Sequence, residues 1–306
     1  MKIALTTSVL ALTAASAMAD CSTVTFSDVG WTDITATTAV ATTVLEALGY
    51  NTETRVLSVP VTYVSLEQGD VDVFLGNWMP TMEADIAPYL EKGTVDTLRA
   101  NLEGAKYTLA TNAAGAALGI TDFAAIAAQA DALDATIFGI EPGNDGNRLI
   151  LDMITADAFG LKDFDVKESS EQGMLSQVAR LSKKDEPIVF LGWAPHPMNA
   201  NFDLTYLSGG DEWFGPNYGG ATVHTNTRAG YVAQCPNVGA LLQNLYFSLE
   251  MENEIMGAIL NDGVEATDAA KIWLTANPSV LDAWLDGVTA ADATDGLSAV
   301  KTALGL

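Results

Sequence analysis

The stretch Val73–Met82 reads VFLGNWMPTM, and the stretch Val189–Met198 reads VFLGWAPHPM. The first four letters are identical, a tryptophan follows in each, and a proline stands two positions after each tryptophan. Such a stretch is typical of a buried strand that ends in a turn, and ligands of open parallel sheets bind beyond the carboxyl ends of the strands. If the two halves of the chain face each other, Trp78 and Trp193 approach one cleft from opposite sides. The alternative is that each indole fills the edge of its own sheet.

The segments around the two stretches alternate between strand-like and helix-like periodicity. STVTFSDVG, TETRVLSV and ATIFGI are predicted strands, whereas ITATTAVATTVLEALG, GNRLILDMITADAF and EQGMLSQVARLS are predicted helices. This alternation predicts an α/β fold of mostly parallel sheets flanked by helices. The glycine-rich residues 207–223 interrupt the pattern, and helices dominate from Pro236 onward.

Residues 1–19 are a predicted secretory signal. Lys2 provides a positive start, an apolar run follows, and small residues precede a cut after Ala19. A membrane anchor is the alternative, but the apolar run is shorter than the roughly 20 residues that span a bilayer. Asp20 separates the cut from Cys21, which argues against a lipid anchor on that cysteine. We therefore expect a periplasmic protein with no direct membrane insertion.

The chain is strongly acidic, with a formal net charge of −25 at pH 7. Such a charge repels phosphate backbones and anionic lipid surfaces, so nucleic acid is not an expected partner. A cationic ligand is not repelled. The simpler explanation, that the charge keeps a secreted protein soluble, also applies.

Cys21 and Cys235 are the two cysteines of the chain, and two cysteines allow one intramolecular pairing. In an oxidising compartment we expect a disulfide between them. The alternative is two separate buried thiols.

The usual sequence signatures of enzymes are absent. The chain has no nucleophile-elbow, phosphate-loop, zinc-protease or dinucleotide-binding motif, and no metal site or cofactor is expected. His196 and His224 are the only histidines. A catalytic role for His196 stays open because it lies close to Trp193, but a structural role is the stronger expectation. We predict that the protein is not an enzyme.

Four aromatic residues stand next to turns or strand ends, namely Trp31, Trp78, Tyr107 and Trp193. Together they could line a box for a quaternary ammonium ion, which cannot donate a hydrogen bond and carries a diffuse charge. Aromatic faces suit such a cation, at about 0.5–2 kcal/mol for each face.

Three polar residues accompany the aromatic ones. Asp33 stands at the entry of the first predicted helix, where a carboxylate caps the helix and also reverses the local positive charge of its N-terminus. Asn144 and Asp145 lie in the turn EPGNDGN at another strand end, where an amide could bind a ligand hydroxyl. The alternative for all three is a purely structural role, in which the side chain stabilises a turn or caps a helix.

Eight stretches distributed over the chain carry a further signal: GWTDITATTA, DVDVFLGNWMP, NLEGAKYTLATN, GIEPGNDGNRLI, SSEQGMLSQVAR, FLGWAPHPMNANF, FGPNYGGATV and QNLYFSLEMENEIMG. All eight resemble the choline-binding periplasmic proteins of bacterial ABC transporters, a family within the class that binds quaternary ammonium solutes. The resemblance covers essentially the whole mature chain.

The resemblance implies a two-lobed periplasmic binding protein fold of type II, with two crossing segments as the hinge. Lobe I is then expected at residues 20–104 and 208–306, and lobe II at residues 105–207. It implies an aromatic box around the trimethylammonium group, with Asp33 as its acidic partner and Asn144 near the hydroxyl. The disulfide of the family corresponds to Cys21 and Cys235. The ligand-binding residues that we predict are Trp31, Asp33, Trp78, Tyr107, Asn144, Asp145 and Trp193, and Trp213 is assigned to the rim or the core.

We therefore expect a monomeric substrate-binding receptor that binds choline between closing lobes and delivers it to the permease subunits of an ABC importer. A receptor for glycine betaine or carnitine is the alternative among binding proteins. Those ligands carry a carboxylate, and the acidic Asp33 disfavours them. The alternative from another class is a secreted hydrolase of choline esters.

Overall fold

A computed structural model describes residues 21–306. The predicted signal peptide and its cut after Ala19 lie outside these residues. Within them the chain forms one sheet of nine strands. The strands are β1 (Thr23–Asp28), β2 (Asn51–Val56), β3 (Val73–Met79), β4 (Val95–Asn112), β5 (Thr136–Phe138), β6 (Asp165–Lys167), β7 (Val189–Ala194), β8 (Leu204–Tyr206) and β9 (Gly220–Arg228).

Helices cover the sheet and fill the C-terminal region. They are α1 (Thr32–Ala47), α2 (Val59–Gln68), α3 (Glu83–Lys92), α4 (Ala113–Ala117), α5 (Ala130–Leu133), α6 (Asp145–Thr155), α7 (Glu171–Ser182), α8 (Met198–Asn201), α9 (Asp211–Phe214), α10 (Pro216–Gly219), α11 (Tyr231–Gln234), α12 (Pro236–Asn244), α13 (Leu249–Leu260), α14 (Ala266–Ala276), α15 (Val280–Trp284) and α16 (Gly296–Leu304). Short 3-10 helices occupy Phe123–Ala125, Ala127–Gln129 and Ala158–Gly160. None of the helices within the described part of the chain is long and apolar enough to cross a bilayer.

Two groups of parallel strands form the outer parts of the sheet. The order β2-β1-β3 on one side arises from a β-α-β-α-β unit whose helices are α1 and α2. The order β6-β5-β7 on the other side arises from the same kind of unit, with α6 and α7 as its principal helices. Strands β3 and β7 therefore occupy equivalent places in two copies of one motif. The repeated stretches are these two strands, and in both the peptide bond before the following proline is cis.

The middle of the sheet is antiparallel. The long strand β4 pairs along its first part with β9 and along its last part with β7 and β8, while β9 also pairs with β3. The α/β organisation is confirmed, but parallel pairing is restricted to the two outer groups. The reason is that β4 and β9 are long strands that connect the outer groups and run in opposite directions.

Helix α1 is buried over most of its length, and its apolar and threonine side chains are covered by α13, α14 and α16. A helix that is covered on nearly all sides needs no polar face, which explains its small amphipathic character. This packing holds the first turn of α1 at the end of β1. The N-terminus of α1 therefore faces the space between the two outer strand groups.

The predicted disulfide between Cys21 and Cys235 is confirmed, with 5.7 Å between the two Cα atoms. It joins the start of β1 to the end of α11, at a sequence separation of 214 residues. No other cysteine occurs in the chain. The bond thus closes most of the described chain into one covalent loop.

We predict that removal of this bond by Cys21→Ser with Cys235→Ser lowers the free energy of unfolding by about 2–5 kcal/mol, because the unfolded chain regains the entropy of an open loop. Chemical denaturation with and without a reducing agent measures the effect. The reducing agent should destabilise the wild-type protein and leave the double variant unchanged. Equal stability of the two proteins without reductant would contradict the prediction.

Candidate functional site

A cavity lies between the two outer strand groups. It is small, with about 20 Å³ of space for the centre of a water molecule. Of the described residues, seven line it, and six of these are residues that the sequence predicted as ligand-binding. The lining residues are Trp31, Asp33, Trp78, Tyr107, Ile140, Asn144 and Trp193.

Both outer strand groups and the central strand β4 contribute residues to the lining of the cavity. Trp31 is the N-cap residue of α1, and Asn144 is the N-cap residue of α6, which is the equivalent helix of the other group. Trp78 is in β3, Trp193 is in β7, and Tyr107 is in β4, directly opposite Trp193 in the strand pairing. All five side chains are buried. The two repeated strands thus supply two walls of one cavity. The alternative, that each indole only fills the edge of its own sheet, is wrong.

Tyr107 is the centre of the aromatic cluster. Its ring centroid lies 6.0 Å from that of Trp78 and 6.2 Å from that of Trp193, with interplanar angles of 60° and 83°. Phe214 of α9 packs edge-on against the far side of Tyr107 at 5.9 Å. Each edge-to-face pair of this kind contributes an interaction energy of about 0.5–1.5 kcal/mol, and this energy restricts the orientation of the two rings. Faces that form the cavity wall are therefore held in place before any ligand enters.

Asp33 is 1 % exposed and lies in the first turn of α1, two residues after the N-cap Trp31. Its Oδ2 accepts a hydrogen bond of 3.0 Å from the indole N–H of Trp78, while its Oδ1 has no partner among the described residues. Burial, and then the negative charge of Glu171, raise the pKa of Asp33 to about 8. The single hydrogen bond from Trp78 therefore does not offset the cost of burying the ionised form of this carboxyl group.

Asn144 joins the cap of α6 to the aromatic cluster. Its Oδ1 accepts hydrogen bonds from the backbone N–H of Asn147 at 3.1 Å and from the hydroxyl of Tyr107 at 3.0 Å. Its side-chain N–H donates to Oδ1 of Asp145 at 3.1 Å. Asp145 itself is fully buried behind Asn144 rather than on the cavity wall, and its Oδ2 has no partner among the described residues. Burial raises the pKa of Asp145 to about 6.

Two further carboxylates, which the sequence did not single out, bind the N-terminus of α1 from the opposite strand group. Glu141 accepts a hydrogen bond of 2.8 Å from the indole N–H of Trp31, and Glu171 accepts two from Thr32. Burial raises the pKa of Glu141 to about 7. Phe214 and Ile140 were also missed. No sequence signal separates these residues from the many other carboxylates and apolar residues of the chain.

His196 is buried, and both of its ring nitrogens are engaged. Nδ1 accepts from the backbone N–H of Met198 at 2.9 Å, and Nε2 lies 3.1 Å from Oε1 of Glu171. The ring packs edge-on against Trp193 at 5.0 Å. These contacts give His196 a place in the packing of the box. Within residues 21–306, no group of three or more His, Cys, Asp or Glu side chains is arranged to hold a metal ion.

Trp213, which the sequence assigned to the rim or the core, is partly buried in α9 and packs against the core. Trp213 is not among the described residues that line the cavity.

Comparison with known families gives a match over residues 22–276 to the substrate binding domain of the ABC-type glycine betaine transport system. The chain belongs to this family. Members of the substrate-binding family serve transport, and the family is not a family of enzymes.

Solved structures of this substrate-binding family superpose closely on the chain. A structure described as an ABC-transporter choline binding protein in complex with choline is 71% identical, covers 93% of this chain and 99% of its own, and has a TM-score of 0.93. A structure of such a protein in an unliganded semi-closed conformation, also 71% identical, covers 94% of this chain and 99% of its own with a TM-score of 0.87. Lactococcal OpuAC in its closed form with glycine betaine is 25% identical, covers 86% of this chain and 98% of its own, and has a TM-score of 0.77. The predicted periplasmic binding protein fold is confirmed.

The raised pKa of Asp33 leads to a prediction on the pH dependence of stability in this substrate-binding protein. The folded state holds the proton of Asp33 more tightly than the unfolded state, in which the pKa is near 3.8. The contribution of Asp33 to the free energy of unfolding is therefore complete below about pH 4 and is lost as the pH rises to about 8. Denaturation of the ligand-free wild type and of Asp33→Asn from pH 4 to pH 9 should give a difference in the free energy of unfolding that grows in favour of the variant up to about pH 8 and then levels off.

Asp262→Asn, which removes an exposed carboxyl group, is the control and should show no such trend. A wild type and an Asp33→Asn variant with parallel stability curves over this range would contradict the prediction.

Proposed function

We propose that this protein is the periplasmic receptor of an ABC importer and that it binds choline in the cavity between its two lobes. The observation that carries this proposal is the buried carboxyl group of Asp33, which lies among aromatic rings and has one oxygen without a hydrogen-bond partner in residues 21–306. The choline-bound relative at 71% identity supports the same ligand.

The lining of the cavity suits a quaternary ammonium group. Trp31, Trp78, Tyr107 and Trp193 present ring faces and edges, and each correctly placed face attracts a cation by about 0.5–2 kcal/mol. A primary ammonium would need several acceptors for its N–H groups, whereas a trimethylammonium group needs none. A permanent cation next to Asp33 favours its ionised form and so removes the cost of burying that carboxylate.

We place the trimethylammonium group between the indoles and the ligand hydroxyl towards Asn144. The amide of Asn144 uses one N–H for Asp145 and has a second N–H that could donate to the hydroxyl oxygen. Asp145, whose Oδ1 accepts from Asn144 and whose Oδ2 has no partner in the described part of the chain, adds negative potential at this end.

Glycine betaine is the second candidate, because the family description and a structural relative both name it. Its carboxylate would need cationic or amide donors. The seven residues that line the cavity include no Lys or Arg, and Asp33 would repel a second carboxylate. The charge of the site therefore favours choline over betaine.

We further propose export by the signal at residues 1–19, with cleavage after Ala19, and delivery of choline to the permease by a monomeric receptor. The lobe boundaries at residues 104 and 208 belong to this proposal. Hydrolysis of choline esters is disfavoured because both ring nitrogens of His196 are engaged, by Met198 and Glu171.

Calorimetric titration with choline, acetylcholine, glycine betaine and carnitine tests the function directly. We expect choline to bind most tightly and the two carboxylate ligands to bind most weakly. Tighter binding of glycine betaine than of choline would reject the proposed ligand, and turnover of acetylcholine by the pure protein would reject a purely binding role.

The aromatic walls give the next prediction. Trp78→Ala and Trp193→Ala should each weaken choline binding by about 1–3 kcal/mol, because each loses a cation–π contact and part of the apolar enclosure. Leucine at either position restores apolar area without the ring and should recover only part of the loss. Calorimetry measures both, with Trp213→Leu as a control that changes a tryptophan outside the cavity. Full recovery by leucine would exclude a cation–π contribution.

Asp33→Asn separates the two candidate ligands. The variant loses the negative charge next to the cation and should bind choline more weakly. Its affinity for glycine betaine should fall much less, because the repulsion between Asp33 and the betaine carboxylate also disappears. The measured quantity is the ratio of the two dissociation constants. An unchanged ratio would mean that selectivity depends on other residues, with Asn144 and Asp145 the next to test.

A further inference from the structure

The N-terminus of α1 is capped by a residue from the opposite strand group. The N-cap residue Trp31 makes no side-chain cap hydrogen bond of its own. Instead the backbone N–H of Thr32 donates to Oε2 of Glu171 at 2.8 Å, and the hydroxyl of Thr32 donates to Oε1 at 2.6 Å. Glu171 is the first residue of α7, 139 positions further along the chain. The hydrogen bonds that cap α1 therefore run from one outer strand group to the other.

The same carboxylate also binds His196. Nδ1 of His196 accepts the N–H of Met198, so the ring proton is on Nε2, which donates to Oε1 of Glu171 at 3.1 Å. Glu171 and His196 are each 1 % exposed. The carboxylate therefore accepts two hydrogen bonds from α1 and one from His196.

His196 leads in turn to the aromatic box, because its ring packs edge-on against Trp193. A continuous series of contacts runs from the first turn of α1, through Glu171 and His196, to the indole on the opposite wall. Asp33 lies in that first turn, so the series joins the acidic wall of the cavity to an aromatic wall.

We propose that Glu171 is a positioning residue that completes the N-cap of α1 only when the two lobes are together, and thereby couples closure to the assembly of the box. The inference rests on the proposed function and deepens it. An uncapped helix N-terminus leaves N–H groups without partners and carries about half a positive charge, which opposes a cation nearby. The carboxylate of Glu171 satisfies the first N–H, cancels this charge and adds negative potential behind Asp33.

Glu171 differs from Asp33 in the effect that is expected of it. It does not line the cavity, so its contribution to affinity acts through the relative position of the lobes and through Trp193. Loss of its charge should chiefly increase the rate at which the ligand leaves, because the closed form is weakened while the open form keeps its entrance. This separates a closure residue from a ligand-contacting one.

The test is Glu171→Gln, which keeps the size of the side chain but loses the charge and turns an N–H group towards donors. We expect the dissociation constant for choline to rise about 10- to 100-fold, as for the loss of hydrogen bonds to a charged group. The choline dissociation rate should rise by a similar factor. The decrease in radius of gyration that choline causes, measured by small-angle scattering, should become smaller.

Glu168→Gln is the matched control. Glu168 lies on the same segment, but its carboxylate accepts from Asn147 on its own side of the cleft. The Glu168→Gln variant also removes one negative charge but leaves the contacts of α1 unchanged. We expect its choline affinity to change less than about threefold, as for the loss of an exposed charge. An equal loss in Glu168→Gln and Glu171→Gln would overturn the proposal in favour of a general effect of charge.

Thr32→Val tests the contact from the other side and removes only a hydroxyl group. It should weaken choline binding about 3- to 10-fold, and in the double variant the two losses should not add, because they break one contact. Additive losses would overturn the proposal. A Glu171→Gln variant with reduced thermal stability without ligand, yet with wild-type choline affinity and closure, would show a role in folding alone. A wild-type protein that does not bind choline would reject the proposed function itself.

Discussion

A buried carboxyl group without full compensation is the constraint on which the site depends. Asp33 is removed from water on α1, accepts one indole N–H, and has a second oxygen with no described partner. An ionised carboxylate in such a place costs several kcal/mol unless a positive charge joins it. None of the described residues on the cavity wall is a lysine or an arginine. In the absence of ligand the raised pKa keeps Asp33 largely protonated near neutral pH. The proposed cationic ligand would supply the positive charge that favours the ionised form, and the surrounding rings suit a cation that needs no hydrogen-bond acceptor.

The arrangement of the site depends on polar contacts between side chains that are far apart in sequence. The indole N–H of Trp31 donates to Glu141 across the cavity. Arg148 of α6 donates to the carbonyl of Thr81 at 2.9 Å and to Asp85 at 2.8 Å. Each contact joins a residue of the β3 or α1 region to one of the opposite strand group. These contacts hold the two outer strand groups together around the aromatic box.

Much of the site could be predicted from the sequence, because Trp31, Trp78 and Trp193 stand at strand ends or in turns, whereas Tyr107 lies within β4. Trp78 and Trp193 were found from a repeated strand, and the repeat was visible because both copies keep the same apolar letters. The antiparallel centre of the sheet was not predicted, since the glycine-rich start of β9 conceals a strand. Glu141 and Glu171 were missed for another reason. In an acidic chain a carboxylate that binds a distant helix has the same sequence appearance as one that faces water.

The two β-α-β-α-β units give the molecule an approximate twofold axis through the centre of the sheet, between β4 and β9. Rotation about this axis exchanges the strands that carry Trp78 and Trp193, so the walls of the cavity are alike. The helix starts that the axis exchanges present different groups to the cavity, because α1 presents the carboxylate Asp33 and α6 presents the amide Asn144. The proposed ligand would be enclosed by what the two units share. Its direction, head to tail, would follow from the residues in which they differ.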